Sequence, residues 1–282
     1  MAESPGQAVS LGKTLRLARL FDPDSGTAVM LPLDHAIEEP DYDQLERPLE
    51  LIGSLARAGV DAFLLRRGLA TFAAGAFAGR AGWVQRITGR SGLSAGLRNQ
   101  QLVIASVEQA LRNGADAVVP TFFIGPESET YLLPQLGALA DECSRLGVPL
   151  MAEVFPAGGP DAVPYHGPYS VDDLRMAVRV ASEEGADVIK TWYPGDPESF
   201  RRVLDYSLVP VVAAGGPRAD TERDVLEMVR GAMDAGAAGV AMGRKIWQSR
   251  DPVGLVRAVS AIIRHGAGVD DAMSLLAADP AR

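Results

Sequence analysis

Lysine is nearly absent from this chain. Of 27 basic side chains only three are lysines, at Lys13, Lys190 and Lys245, and arginine stands almost everywhere else. Cysteine occurs once, as Cys143, so no disulfide can form within the chain. It falls in the helical pattern ADECSRLG and reads as a packing residue. Histidine occurs three times, at His35, His166 and His265, and with no second cysteine the usual zinc ligand sets are excluded; no metal is expected. No run of 18 apolar residues is present, which excludes a transmembrane helix. The opening MAESPGQAVS lacks a basic segment followed by an apolar run, so no signal peptide is expected and the protein reads as cytoplasmic. A net charge of −9 argues against broad attraction to nucleic acid or anionic membrane, though a local basic pocket remains compatible with it.

What is present is an alternation. Eight short apolar runs, at 28–36, 61–68, 83–89, 116–125, 149–155, 186–193, 209–216 and 239–246, are separated by amphipathic helical patterns at 45–58, 98–112, 128–146, 170–184, 197–206, 219–235 and 252–264. Most of the runs are nearly continuous in Val, Leu, Ile and Ala, as strands covered on both faces should be. The run at 83–89 fits least well, because it holds Gln85 and Arg86. Phrases of one kind (AGVDAF, NGADAV, EGADVI, AGAAGV) recur just before strands, so one junction is used repeatedly. Helix starts are marked by Ser170 and by Asp220–Thr221. Eight strands alternating with helices in a chain of this length predict a single (β/α)₈ TIM barrel over residues 1–282, with a short leading helix at about 11–22 and a trailing one at about 269–277. The rival, an open doubly wound sheet, would carry a glycine fingerprint after its first strand, and VMLPLDHAIEE has none.

In such barrels the chemistry sits at the C-terminal strand ends. Lys190 lies in ADVIKTWYPGD, inside the sixth strand. By alternation Val188, Lys190 and Trp192 share one face, as do Met151, Glu153 and Phe155, and Pro32 and Asp34. An inward lysine meets a low-dielectric interior, which favours the neutral amine. That amine can form a Schiff base with a carbonyl compound. The other reading is a lysine paired with Asp34 or Glu153, or snorkelling at the strand end. Gly215–Gly216 and Gly243–Arg244 end consecutive strands. They suit a phosphate held by backbone N–H groups and a guanidinium, or are tight βα turns only. Asp34 can act as acid/base or as a turn residue. His35, of opposite parity, reads as a structural hydrogen-bonder. Arg66 and Arg67 balance carboxylates, bind an anionic substrate or form rim salt bridges, and Trp192–Tyr193 would line the pocket as a packing wall.

Together these residues resemble the archaeal-type class I aldolases. That group includes archaeal fructose-bisphosphate aldolase, the amino-dideoxy-heptulosonate synthases and the autoinducer-2 phosphate thiolase. The resemblance covers nearly the whole chain and is strongest in GADVIKTWYPGDPESFRRVL, VPVVAAGGPRADTERDVLEMVRGAMDAGAAGVAMGRKIWQ and DPVGLVRAVSAII. It implies Lys190 as the Schiff-base lysine, Asp34 as an acid/base group, and a substrate phosphate on Gly215, Gly216, Gly243 and Arg244. It also implies no cofactor and a homo-oligomer, commonly a ring stacked into a decamer.

The departures bear on substrate. The family's Tyr-Pro-Arg-Gly after strand five, with its proton-donating tyrosine, reads here Phe155-Pro156-Ala157-Gly158. Its His-Lys-Gly after strand two is Arg66-Arg67-Gly68, so Arg67 is expected to face the substrate. Its His-x-Asn after strand four is Thr121-Phe122-Phe123. A substrate other than fructose bisphosphate is expected. Glu153, its pKa raised by burial near Phe155 and Trp192, is the first candidate to move protons. Tyr165 and His166 come second and a bound water third. The expected reaction is Schiff-base aldol chemistry on a phosphorylated ketose or a compound like dihydroxyacetone phosphate. The alternatives are acyl transfer to coenzyme A on a phosphorylated diketone, and a barrel that binds sugar phosphates without turning them over.

Overall fold

The computed structural model describes residues 10–34, 45–93, 101–125, 129–157, 169–215 and 219–277. Its strands are β1 (Ala28–Pro32), β2 (Ala62–Leu65), β3 (Gly82–Arg86), β4 (Thr88–Gly89), β5 (Leu102–Val103), β6 (Ala117–Val119), β7 (Thr121–Ile124), β8 (Met151–Pro156), β9 (Val188–Thr191), β10 (Val211–Ala213) and β11 (Gly239–Ala241). Its helices are α1 (Leu11–Leu17), α2 (Pro48–Ala58), α3 (Arg67–Phe77), α4 (Val107–Arg112), α5 (Glu129–Leu146), α6 (Val171–Glu183), α7 (Pro197–Leu204), α8 (Glu222–Ala235), α9 (Arg244–Trp247), α10 (Pro252–His265) and α11 (Val269–Ala277).

Nine strand segments form one parallel sheet in the order β6-β3-β2-β1-β11-β10-β9-β8-β7. Its two ends are successive pieces of the chain. Pro120 separates β6 from β7, so the expected run at 116–125 is one barrel strand broken in the middle. The first half pairs with β3 and the second with β8, while a bridge from Val118 to Leu150 closes the ring. Proline has no N–H to give a ladder, but its carbonyl still accepts from Glu153 N at 2.9 Å. The result is the (β/α)₈ barrel.

Strand alternation divides the core in two. Val29, Leu31, Phe63, Leu65, Ala152, Val154 and Ile189 point out to the helices. Met30, Leu64, Val84, Val119, Met151, Val188 and Val212 fill the barrel, and Leu17, Leu20 and Phe21 of the leading segment close its lower end. Because successive side chains take opposite faces, one inward residue per two is committed to this filling.

The recurring junction has a structural meaning. In three of its copies the aspartate accepts an N–H from the preceding barrel strand: Asp61 from Val29 (2.7 Å), Asp116 from Trp83 (3.0 Å) and Asp187 from Leu150 (2.8 Å). Each aspartate also meets a cation, respectively Arg264 (2.6 Å), Arg19 (2.5 Å) and Lys13 (2.8 Å). Two of those cations come from the leading segment and one from α10, so the device ties the chain's ends to the barrel floor. Lys13 is accounted for by this role.

Local expectations change at several places. The leading helix ends at Leu17 rather than at about 22, and the run 239–246 is strand only to Ala241 before Arg244–Trp247 turns into α9. The run 98–112 yields only α4, capped by Ser106, because Leu102–Val103 pairs with Thr88–Gly89 as a small antiparallel ladder. Helix α3 is not foreshadowed by periodicity, since its sequence RGLATFAAGAF is small and apolar on nearly every face.

Candidate active site

Four ionisable side chains meet at the upper end of the barrel interior. Lys190 is 4 % exposed, Glu153 4 %, Asp34 6 % and Arg86 7 %, so none of these charges is solvated by bulk water. Their convergence follows from register. Thr121, Glu153 and Lys190 are ladder partners on β7, β8 and β9, at one level of the barrel and of inward parity. Arg86 ends β3, two residues beyond inward-facing Val84, and Asp34 follows β1, two beyond Pro32.

The contacts form a chain of alternating charge. Lys190 Nζ touches Glu153 Oε1. Arg86 donates to Glu153 Oε2 through one terminal nitrogen at 2.6 Å and to Asp34 Oδ2 through Nε at 2.5 Å. The remaining terminal nitrogen donates to the Thr121 hydroxyl, which in turn donates to Glu153 Oε2 at 2.5 Å. Burying an ion costs several kcal/mol, about the amount that good pairing must recover. Here each basic side chain touches a carboxylate and each carboxylate a basic side chain.

This corrects the expectation for Glu153. Burial does push its pKa up, and it is the largest single influence. The Arg86 and Lys190 cations together outweigh it and hold the carboxyl down at about 2. Glu153 is therefore an ionised carboxylate at neutral pH and has no proton of its own to donate.

A cavity of about 90 Å³ opens above the quartet. Asp34, Glu153 and Lys190 line it, with Phe155 and Trp192 on one wall and Gly215, Gly243, Arg244 and Lys245 on another. Phe155 packs edge-on to Trp192 at 6.3 Å between ring centres and lies 5.9 Å from Phe123. Gly215 has φ 111°, in the left-handed region that favours glycine, and a β-carbon there would come within 3.6 Å of Lys245 Cε. Burial, then the neighbouring Arg244 guanidinium, moves the Lys245 ammonium below the usual lysine range. A concentration of positive charge facing a glycine loop suits an anion.

The structure places Arg67 outside this cavity, exposed at the first turn of α3. Arg66, one residue earlier and extended in backbone, lines the cavity instead. Its guanidinium donates to Asp34 O at 3.0 Å and Thr88 O at 2.9 Å, passing over Gly89, where a β-carbon would sit 2.6 Å from it. Tyr165, His166, Gly216 and His35 lie outside the described residues. Arg86, Thr121 and Lys245 belong to the site without having been singled out for it. Parity on β3 is the one sequence signal that aims Arg86 inward.

A family model described as DeoC/LacD family aldolase matches residues 28–249. The 2-amino-4,5-dihydroxy-6-oxo-7-(phosphonooxy)heptanoate synthase of Streptomyces griseus is 35 % identical over 262 residues, 91 % of each chain. The 2-amino-3,7-dideoxy-D-threo-hept-6-ulosonate synthase of Halobacterium salinarum is 35 % identical over 263 residues, 93 % of this chain and 96 % of that one. An archaeal fructose-1,6-bisphosphate aldolase, solved with its catalytic Lys covalently bound to the carbinolamine intermediate of the substrate, superposes with a TM-score of 0.79 at 29 % identity, covering 89 % of this chain and 99 % of that one.

Proposed function

The chain belongs to the DeoC/LacD aldolase family, and from that premise we propose that Lys190 is the Schiff-base lysine of an aldol-type synthase or lyase acting on a phosphorylated ketone. The observation that carries this reading is the placement of Lys190. It lies inside the barrel, in contact with a carboxylate and opening on a cavity with a cationic wall. Among its relatives are two synthases, one of whose names carries a phosphonooxy group, and an aldolase whose lysine is trapped as a carbinolamine.

The residues divide the work as follows. Arg244, Lys245 and the backbone at Gly215 and Gly243 hold the phosphate, which sets the carbonyl over Lys190. The nitrogen attacks that carbonyl, giving a carbinolamine and then an iminium as water leaves. The iminium draws electrons from the neighbouring carbon, so a C–H or C–C bond there can break and an enamine can add to an aldehyde. Asp34 is the acid/base group at the far end of the quartet. Phe155 and Trp192 enclose the reacting carbons and exclude water. The phosphorylated partner we assign is dihydroxyacetone phosphate or a close analogue, condensing with an aldehyde.

Sodium borohydride reduction with dihydroxyacetone phosphate, followed by peptide mass analysis, tests the reading. An adduct on Lys190 is expected. An adduct elsewhere, or none over a broad panel of phosphorylated ketones and aldehydes, overturns it. Product analysis with and without coenzyme A distinguishes aldol from acyl-transfer chemistry. We also propose a homo-oligomer, as the resemblance implies, which sedimentation velocity would test.

A further inference from the structure

We infer that Arg86 is the positioning residue that makes Glu153 a one-sided proton acceptor for Lys190. The inference rests on the Schiff-base reading of Lys190, and it concerns a residue that acts through two carboxylates.

The argument lies in how the two oxygens of Glu153 are divided. Oε2 accepts from Arg86 at 2.6 Å and from the Thr121 hydroxyl at 2.5 Å. Two donors already fill it, and one of them is a permanent cation. Oε1 is the oxygen in contact with Lys190 Nζ. A proton delivered to this carboxylate therefore resides on Oε1, facing the nitrogen that lost it. Arg86 also holds Asp34 through Nε at 2.5 Å, so the two carboxylates are kept apart by one guanidinium rather than sharing a proton.

The proton balance of imine formation uses this arrangement. The ammonium passes one proton to Oε1 and becomes an amine. The amine attacks the ketone, the N–C bond forms, and the carbonyl π pair moves to oxygen. That oxygen takes the second proton from the nitrogen. Oε1 then returns the first proton to the departing hydroxyl, the C–O bond breaks, and water leaves with both protons. The iminium carries the positive charge that the ammonium carried, and Glu153 ends as it began.

Among the described residues, the charged groups facing Glu153 are Lys190 from β9, Arg86 from β3 and Asp34 beyond β1, with the Thr121 hydroxyl from β7. Without Arg86, Glu153 loses the neighbouring cation that most lowers its pKa and one of the two donors on Oε2. It then holds a proton at a pH where it was ionised, on either oxygen, and stops accepting.

The test measures the rate of cyanoborohydride trapping with dihydroxyacetone phosphate against pH in the parent, Arg86→Met and Arg86→Lys, with circular dichroism to verify the fold. In Arg86→Met the pH below which trapping fails is expected to rise by about one unit or more, which is about tenfold in rate on that limb. Arg86→Lys, which keeps the charge but not the fork, should fall between. A folded Arg86→Met with an unmoved limb overturns the inference. If that variant does not fold, Thr121→Val removes the second donor to Oε2, and it should move the limb in the same direction by less; no movement there overturns it equally. Failure to trap the parent at any pH overturns the Schiff-base reading itself, and this role with it.

Discussion

Lys190 and Glu153 face each other as register partners on adjacent parallel strands, and the lysine nitrogen touches the glutamate oxygen inside the barrel mouth. On the proposed reading the pair joins nucleophile and proton acceptor, and both stand on strands rather than on loops. Rigid strands hold such a geometry more closely than loops do.

Replacing Lys190 by Ala should abolish adduct formation and lower turnover by about four orders of magnitude or more, which is about 5.5 kcal/mol of barrel-mouth chemistry lost. Phosphorylated ketone should still bind, since the cationic wall is untouched. Equilibrium dialysis with the labelled ketone phosphate measures this, and loss of binding along with turnover would show that Lys190 serves affinity instead.

Glu153 makes stability depend on acid. Its folded pKa, about 2, lies below the ordinary carboxylate value of 4.5, so its contribution is fully present above about pH 4.5 and disappears as pH falls toward 2. The shift corresponds to roughly 3 kcal/mol. Denaturant titrations from pH 6 to pH 3 should show stability falling, and Glu153→Gln should flatten that slope. The same variant should be less stable than the parent at pH 7, by roughly 3–5 kcal/mol, because Lys190 and Arg86 lose a buried counter-charge.

Arg244→Ala should raise KM for the phosphorylated ketone between about tenfold and a hundredfold, the loss of one charge-assisted hydrogen bond at roughly 1.5–3 kcal/mol. Lys245 titrates below the usual lysine range, so affinity should also decline on the alkaline side as that ammonium loses its proton. Lys245→Met should remove this alkaline limb while leaving the residual phosphate dependence in place. An identical limb in the variant would assign it to another group.

Phe155→Tyr places a phenol on the cavity wall beside Trp192 and Phe123, where the present ring offers no proton. Deuterium exchange from solvent into the bound ketone should become faster, and the melting temperature should change little because the ring keeps its shape. Unchanged exchange in a folded variant would show that another group already performs that transfer.

How much was legible before the fold is seen most clearly at Glu153 and Arg86. Parity along β8 is enough to aim Glu153 inward, but its charge state reverses the expectation. An inward position is enough to suggest burial, whereas the two cations arrive from β9 and β3. Parity could aim Arg86 inward, but it stood out as a blemish in a hydrophobic run, because an arginine in a strand looks unfavourable until its partners, 52 and 67 residues away, are in contact with it. Arg66 and Arg67 are adjacent and chemically alike, and a helix start between them turns one to the cavity and the other to solvent.

The sequence by itself determined the alternation of strand and helix, the parity that turns Lys190, Glu153 and Asp34 to one interior, and the glycine–arginine loop ends. These are local, repeating properties of the backbone, readable at spacings of two and of three to four residues. Only the tertiary structure decided which charges meet. Closing β6 and β7 around Pro120 brings β3 and β8 to opposite sides of one strand, and this sets Arg86 against Glu153. Electrostatic state depends on distances between groups far apart in the chain, so it appears only when the ring is closed.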